Sequence, residues 1–432
     1  MKICVIGTGY VGLVAGTCFA ETGNTVICVD NDNEKIKKLK KAVIPIYEPG
    51  LEDLIKTNLS EGRLSFTNNI ADAIKKSQVC FIAVGTPQNN DGNPDLSAVY
   101  DVVIQIAKTI EKYTVIVHKS TVPIGTSEKI KKLIQEHTDV EFDIVSNPEF
   151  LKQGAAVDDF LKPDRIIIGA ESQRAADIMS EIYTPFVRTG NPIMIMDIKS
   201  AEMTKYASNA FLAVKVSFAN EIANICEKVG ANIESVRSGM CADRRIGSRF
   251  LFAGLGYGGS CFPKDIEALI NISKENCYDP QILKAANELN KSQRIMFLNK
   301  IIKRFDENIK GKTFALWGLS FKPNTNDMRE APSITIIEQL LKRGAKIKAY
   351  DPKAMENAKV IFKNRIEYAK SAFDALKDSD ALILITEWNE FRNPDFEMIK
   401  ANLKEPVIFD GRNQYNPVRL KALGFDYYGI GK

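Results

Sequence analysis

Short apolar runs rich in valine and isoleucine punctuate the first half of the chain: Lys2–Gly7, Thr25–Asp30, Val79–Val84, Thr114–His118, Phe142–Ser146 and Arg165–Ile168. Between them the apolar positions recur every three or four residues, so strands alternate with helices, as in a parallel sheet with crossover connections. From about Ser200 to Val229 the helical period runs on without a Gly or Pro break, which predicts one unusually long helix. Helices continue to about Arg304, interrupted by a glycine-rich loop from Gly254 to Pro263.

A second α/β unit starts at Lys312. Phe314–Gly318 reads as a strand, Ser333–Arg343 as a helix and Ile347–Asp351 as another strand, with further strands at Ala381–Thr386 and Val407–Asp410. This repeats the plan of the N-terminus, strand, turn, helix and a strand ending in Asp, with one glycine where the first copy has three. The pattern predicts an α/β protein: two Rossmann-like doubly wound domains, 1–198 and 306–432, joined by an all-helical central region, 199–305, that contains the long connecting helix.

Composition narrows the class. The chain has 432 residues, enough for two or three cores, with 45% hydrophobic and 26% charged residues. Its net charge of +4 is close to balance, so nucleic acid is not implied as a partner. The basic run Lys35–Lys41 has apolar residues at helical spacing and reads as a solvated helix face. No apolar run reaches spanning length and the N-terminus enters a strand, so the reading is a cytoplasmic protein without membrane insertion. Eight scattered cysteines with no Cys-x-x-Cys and two histidines suggest neither a disulfide framework nor a metal site.

Gly7-Thr8-Gly9-Tyr10-Val11-Gly12 follows a strand and opens a helix. In that context the first glycine allows the tight turn, the second admits a pyrophosphate, and the third lets helix pack on strand. Asp30 ends the second strand, placed to accept hydrogen bonds from a ribose and to repel a 2′-phosphate. NAD is thus preferred to NADP, although Lys35, about a turn further on, leaves room for a phosphate. Gly85-Thr86-Pro87 and Ser120-Thr121 also follow strand ends, where open parallel sheets bind ligands. Taken alone, Ser120 and Thr121 serve equally as helix caps or turn residues.

Cys261 lies in Gly258-Gly259-Ser260-Cys261-Phe262-Pro263-Lys264-Asp265. A thiol near a nicotinamide suggests aldehyde-level chemistry, in which a carbonyl is trapped, oxidised as a thiohemiacetal and hydrolysed as a thioester. The glycines permit close approach of backbone to ligand, and Lys264 favours the thiolate. Lys205 and Asn209 share a face of the long helix and together would hold an oxyanion. On spacing alone a solvated lysine above a polar turn is the plainer reading. Glu149, at another strand end, reads equally as a general base or as a surface carboxylate.

These residues resemble the nucleotide-sugar 6-dehydrogenases, the UDP-glucose/GDP-mannose dehydrogenase family. The likeness runs end to end, through the glycine fingerprint, Tyr47-Glu48-Pro49-Gly50-Leu51, Gly85-Thr86-Pro87, Lys119-Ser120-Thr121-Val122-Pro123, Asn147-Pro148-Glu149-Phe150-Leu151, the Lys205/Asn209 helix, the Cys261 loop, Phe321-Lys322 and Thr386-Glu387-Trp388. It implies oxidation of UDP-glucose to UDP-glucuronate with two NAD consumed, supplying a precursor for polysaccharide or glycan synthesis. It makes Cys261 the nucleophile, gives Lys205 and Asn209 the C6 oxygen, Asp265 with Thr121 a water or proton relay, and Glu149 thioester hydrolysis.

The resemblance also assigns substrate contacts to Phe150, Leu151, Lys152, the loop Phe252–Gly258 with Gly256 and Tyr257, Phe321, Lys322 and Arg412. Arg245 looks like an arginine given to the sugar by a neighbouring subunit, which implies at least a homodimer. Lys264 and Arg329 match NAD contacts, and the C-terminal domain is assigned the UDP-sugar. One departure is Lys152-Gln153 where many relatives carry Arg-Glu; lysine keeps the cation and loses the bidentate fork. GDP-mannose and UDP-N-acetylmannosamine dehydrogenases share this architecture. A two-electron hydroxyacid dehydrogenase would have no use for Cys261, and an inactive NAD-sensing scaffold would keep the fold without turnover.

Overall fold

The computed structural model describes residues 1–89, 92–187 and 190–432, which form two units, Met1–Ser208 and Asn209–Lys432. The first is built on eight strands: β1 (Lys2–Ile6), β2 (Thr25–Val29), β3 (Leu64–Thr67), β4 (Val79–Ile82), β5 (Thr114–His118), β6 (Phe142–Ser146), β7 (Ile166–Ala170) and β8 (Ile193–Met196). They lie in the order β3-β2-β1-β4-β5-β6-β7-β8, so the direction of progression reverses between β1 and β4. Ligands of such sheets bind at the carboxyl ends of the strands flanking this reversal. Helices cover both faces. Leu13, Phe19, Leu51, Ile55 and Phe160 bury one face, while Ile74, Val103, Ile106, Ile130 and Ile134 bury the other.

The continuous Val/Ile runs of β1, β4 and β5 form the doubly covered centre expected of them. Two edge strands, β3 and β8, were not foreseen. Each is only four residues long and lies at an edge; β3 has two apolar residues, and β8, though wholly apolar, leaves Met194 and Ile195 half-exposed. The sheet is also not uniformly parallel, since β7 pairs antiparallel with β6.

The second unit holds β9 (Thr313–Trp317), β10 (Lys346–Tyr350), β11 (Glu367–Tyr368), β12 (Ala381–Leu384), β13 (Val407–Asp410) and β14 (Asp426–Tyr428). They pair in parallel in the order β11-β10-β9-β12-β13-β14, a second doubly wound sheet with its reversal between β9 and β12. Asp351, just past β10, occupies the place of Asp30 in the first sheet but is sealed inside. Its carboxylate accepts from the amides of Leu319 (2.7 Å), Ser320, Lys353 and Ala354 and from the Trp388 indole.

One helix, Ile198–Val229, spans 32 residues and contains the boundary between the units. The helices Ile233–Cys241, Phe262–Glu275 and Gln281–Arg304 follow. The glycine-rich loop ends two residues earlier than its sequence suggests, at Cys261. Pro263 sits in the first turn of the next helix, where its missing N–H would have had no helical partner. Among the described residues no helix is long and apolar enough to cross a membrane.

Candidate active site

In the first unit the glycine turn forms a cradle. A Cβ on Gly12 would collide with the Gly7 carbonyl oxygen, whereas one on Gly9 would meet nothing within 4 Å. The third glycine is therefore fixed by packing, and the second borders open space at the N-terminus of the helix Tyr10–Glu21. That terminus has no side-chain cap, so its amide donors face outward, an arrangement that fits a dinucleotide pyrophosphate. Asp30 stands at the end of β2. Burial raises its proton affinity, but hydrogen bonds from the Thr8 hydroxyl (2.6 Å), the Lys35 ammonium (2.9 Å) and two amides outweigh that, holding it below the usual carboxylate range. Lys35 thus serves the acid rather than standing ready for a phosphate.

Gly85 also borders open space, and Thr86 donates to the Thr121 carbonyl at 3.1 Å. The Ser120 hydroxyl donates to the Val84 carbonyl at 2.7 Å, tying the two strand-end loops together. Tyr10 donates to Glu48, whose other contacts are the amides of Gly154 and Ala156, each at 2.7 Å. Glu48 carried no expected role; here it fastens the loop after Leu151 to the glycine helix.

Lys205 and Glu149 form a buried pair in the same unit. The Lys205 ammonium donates to the Glu149 carboxylate at 3.0 Å and to its backbone carbonyl at 2.6 Å, and both residues are more than nine-tenths buried. Neither plainer reading, a solvated lysine or a surface carboxylate, survives this placement. Burial pushes Glu149 up, yet Lys205 and the Leu151 amide outweigh it, so the carboxylate stays ionised below the usual range. The Phe150 ring lies under the Arg165 guanidinium at 3.7 Å and near Lys205 at 5.4 Å, and Leu151 packs on the core. Lys152 reaches Asp159 at 2.7 Å.

In the second unit Cys261 is the cap of the helix Phe262–Glu275, half-buried, with its sulfur 3.7 Å from the Ser260 hydroxyl. One turn on, Asp265 is fully buried. It accepts from Asn209 at 2.6 Å through one oxygen and from Lys264 at 2.6 Å through the other. The Lys264 charge is therefore directed to Asp265. Arg329, whose guanidinium is held first by Asp327, is a cation whose charge an ionised Cys261 would further favour.

The glycines before Cys261 are less a flexible hinge than a close joint. The Gly259 amide donates to the Arg329 carbonyl at 2.8 Å, and a Cβ on Gly258 would collide with the Glu330 carbonyl oxygen. Gly258→Ala is accordingly expected to destabilise the fold by about 2 kcal/mol, because backbone rather than a flexible side chain must yield. A chemical-denaturation midpoint shifted at unchanged slope would register this.

Four buried polar residues that the sequence did not single out pin this loop. Asn220 accepts from Gly254, Asn290 bonds both amide and carbonyl of Tyr257, Gln293 donates to Gly254, and Arg294 donates to Tyr257 and Glu330. Their only sequence signal is polar residues among the apolar ones of a helical stripe, which spacing alone cannot tell from a solvated face. Arg412 gathers the carbonyls of Ile385 (2.7 Å), Phe321 and Gly256, bracing three loops where a substrate contact was expected. Phe321 packs against Gly259, and the Lys322 ammonium lies 5.5 Å from its ring. Phe252 is exposed beneath Arg237, and Arg245 is exposed with its guanidinium on Asp243. Among the described residues no cluster of metal-ligating side chains occurs.

Three family models match the chain, all of the UDP-glucose/GDP-mannose dehydrogenase family: its NAD binding domain over residues 1–187, its central domain over 199–292 and its UDP binding domain over 315–417. A UDP-glucose 6-dehydrogenase of Pseudomonas aeruginosa is 45% identical over 442 aligned positions, covering 100% of this chain and 98% of that protein. Among solved structures, a UDP-glucose dehydrogenase from Pyrobaculum islandicum superposes with a TM-score of 0.92 at 35% identity, covering 99% and 97% of the two chains. A UDP-D-ManNAc dehydrogenase from Pyrococcus horikoshii gives 0.88 at 28% identity over 100% and 99%.

Proposed function

Because the chain belongs to the UDP-glucose/GDP-mannose dehydrogenase family and its cofactor is NAD, we propose that it oxidises UDP-glucose to UDP-glucuronate through a covalent cysteine adduct. The observation that carries this reading is Cys261 at the N-terminus of the helix Phe262–Glu275, one turn before an Asp265 that grips Asn209. A helix N-terminus and the Arg329 charge both favour a thiolate over a thiol.

Each step has a residue suited to it. The C6 hydroxyl loses its proton to the Lys205–Glu149 pair as hydride departs, leaving an aldehyde. The Cys261 thiolate adds to C6, and Lys205 with Asn209 stabilises the resulting oxyanion. A second hydride loss converts the thiohemiacetal to a thioester. Water, activated by Glu149 and relayed by Asp265 and Thr121, then releases the carboxylate and restores the thiol. The hydride acceptor in both oxidations is bound NAD, one molecule for each. Covalent attachment keeps the aldehyde-level intermediate in place between them. The cradle of Gly7, Gly9, Tyr10, Val11 and Gly12, with Asp30, Gly85, Thr86, Pro87, Ser120, Lys264 and Arg329, holds the cofactor. Phe150, Leu151, Lys152, Phe252, Gly256, Tyr257, Gly258, Phe321, Lys322 and Arg412 shape the sugar-nucleotide site, and the product feeds polysaccharide or glycan synthesis.

The NADH yield per UDP-glucose at completion tests the reading: two supports it, one removes the cysteine chemistry. Activity confined to GDP-mannose in a substrate panel would overturn the choice of sugar nucleotide.

The active form is at least a homodimer in this reading, with Arg245 given to the partner's sugar site. Supporting it, Phe211, Phe218 and Ile225 are 63%, 43% and 51% exposed at seven-residue intervals along the long helix, the spacing of a helix–helix seam. Phe218→Glu is expected to halve the sedimenting mass and lower activity at least roughly tenfold, as charge in such a seam weakens association. Unchanged mass in analytical ultracentrifugation would rule the seam out.

A further inference from the structure

Lys119 is a buried lysine that the reaction above does not use. It is 3% exposed just beyond β5, and its amine donates to the Asn147 side-chain oxygen at 2.9 Å and to the Tyr183 hydroxyl at 3.1 Å. The Tyr183 hydroxyl itself donates to the same Asn147 oxygen, and the rings of Phe160 and Tyr183 lie 5.5 and 5.6 Å from the amine. Among the described residues no carboxylate is within ion-pair distance of Lys119. An ammonium brings three donors and a neutral amine two. This pocket offers two acceptors.

The charged groups that act on Lys119 are Glu149 and Lys205, the pair assigned the proton of the first oxidation. Burial is the largest influence and pushes Lys119 down to about 7; Glu149 opposes the shift and Lys205 adds to it. Two buried lysines thus act on one buried carboxylate, and near neutral pH Lys119 is poised between charged and neutral. Asn147, two residues before Glu149, is further fixed by donating to the Ile167 carbonyl at 2.8 Å, so the Lys119 anchor and the Glu149 carboxylate sit on one rigid segment.

We propose that Lys119 is a positioning residue for the Lys205–Glu149 pair, the third member of a buried Lys–Glu–Lys cluster, whose charge sets the pH above which that pair takes up the C6 hydroxyl proton. This rests on the reading of Lys205 and Glu149 given above. A positive Lys119 repels a proton arriving at the pair. Removing its charge makes the pair hold a proton to higher pH, and the acidic limb of the rate profile moves up.

The test is the pH dependence of kcat for NADH formation from UDP-glucose, in wild type and in Lys119→Met, which keeps the length of the side chain and loses its charge. The limb is expected to move up by roughly one pH unit and to steepen, since coupled groups no longer titrate together, while KM for NAD holds. Tyr183→Phe, which takes one of the two acceptors from the amine, covers the case in which Lys119→Met does not fold. It is expected to move the limb the same way by less. A fall in kcat that is equal at every pH in the folded variants would overturn the proposal. Wild type yielding one NADH per substrate would instead overturn the underlying reaction, so the two failures are distinguishable.

Discussion

A Cys261→Ser variant is expected to release free acid at least roughly a thousandfold more slowly than wild type, with oxidation stalled at or before the aldehyde level. A serine hydroxyl is not ionised near neutrality, and neither the helix terminus nor Arg329 brings it close to an alkoxide. Folding should not confuse the result. Cys261 makes no capping hydrogen bond in the helix Phe262–Glu275, and serine is among the preferred residues at a cap, so the variant should melt no lower than wild type. NADH and glucuronate counted in the same reaction decide the matter. Multiple-turnover formation of acid by this variant would remove Cys261 from its role.

Lys205→Ala is expected to lower kcat by about two to three orders of magnitude, because the donor to the developing oxyanion is lost, with a much smaller change in KM. A dominant rise in KM would make Lys205 a binding residue. A second consequence is thermodynamic. Deleting one partner of a buried pair leaves the other charge uncompensated, at a cost of about 3–5 kcal/mol. In wild type Glu149 sits below its unfolded value, so its contribution is fully present above the unfolded carboxylate pKa and is lost as pH falls through the folded one. Without Lys205 the burial effect dominates and the sign reverses. The variant's deficit should be largest at neutral and alkaline pH and narrow towards pH 5, as Glu149 takes up a proton. Melting temperatures across that range would show it; a deficit independent of pH would contradict it.

Much of this was written in the chain. The Val/Ile runs of β1, β4, β5 and β6 and the unbroken helical period to Val229 are strong local signals, and they fall within a few residues of the observed elements. The glycine fingerprint is legible for the same reason, since each of its residues answers a backbone demand. Edge strands such as β3 and β8 are only four residues long, too short to stand out even where, as in Ile193–Met196, every residue is apolar. Polar side chains that meet only in three dimensions were also out of reach. Spacing made Lys205 look solvated and Lys264 look like the thiolate's cation, whereas packing buried the first beside Glu149 and directed the second to Asp265. Asn290 and Arg294 carry no motif at all; what identifies them is the backbone of Tyr257 lying against them.

The sealed carboxylate of Asp351 has a bearing on traffic between nucleotides. In the first sheet the equivalent acid, Asp30, stands beside a helix terminus bordered by open space; in the second, the acid accepts from six backbone and side-chain donors, three of them in the Leu319–Ser320 turn. The helix after β9 starts only at Pro332, so no amide terminus follows the strand directly. Two sheets that reverse direction after the same number of strands therefore present different surfaces to a diphosphate. The open helix terminus that suits a dinucleotide in the first sheet is not repeated directly after β9, so the two sheets offer a diphosphate different sockets.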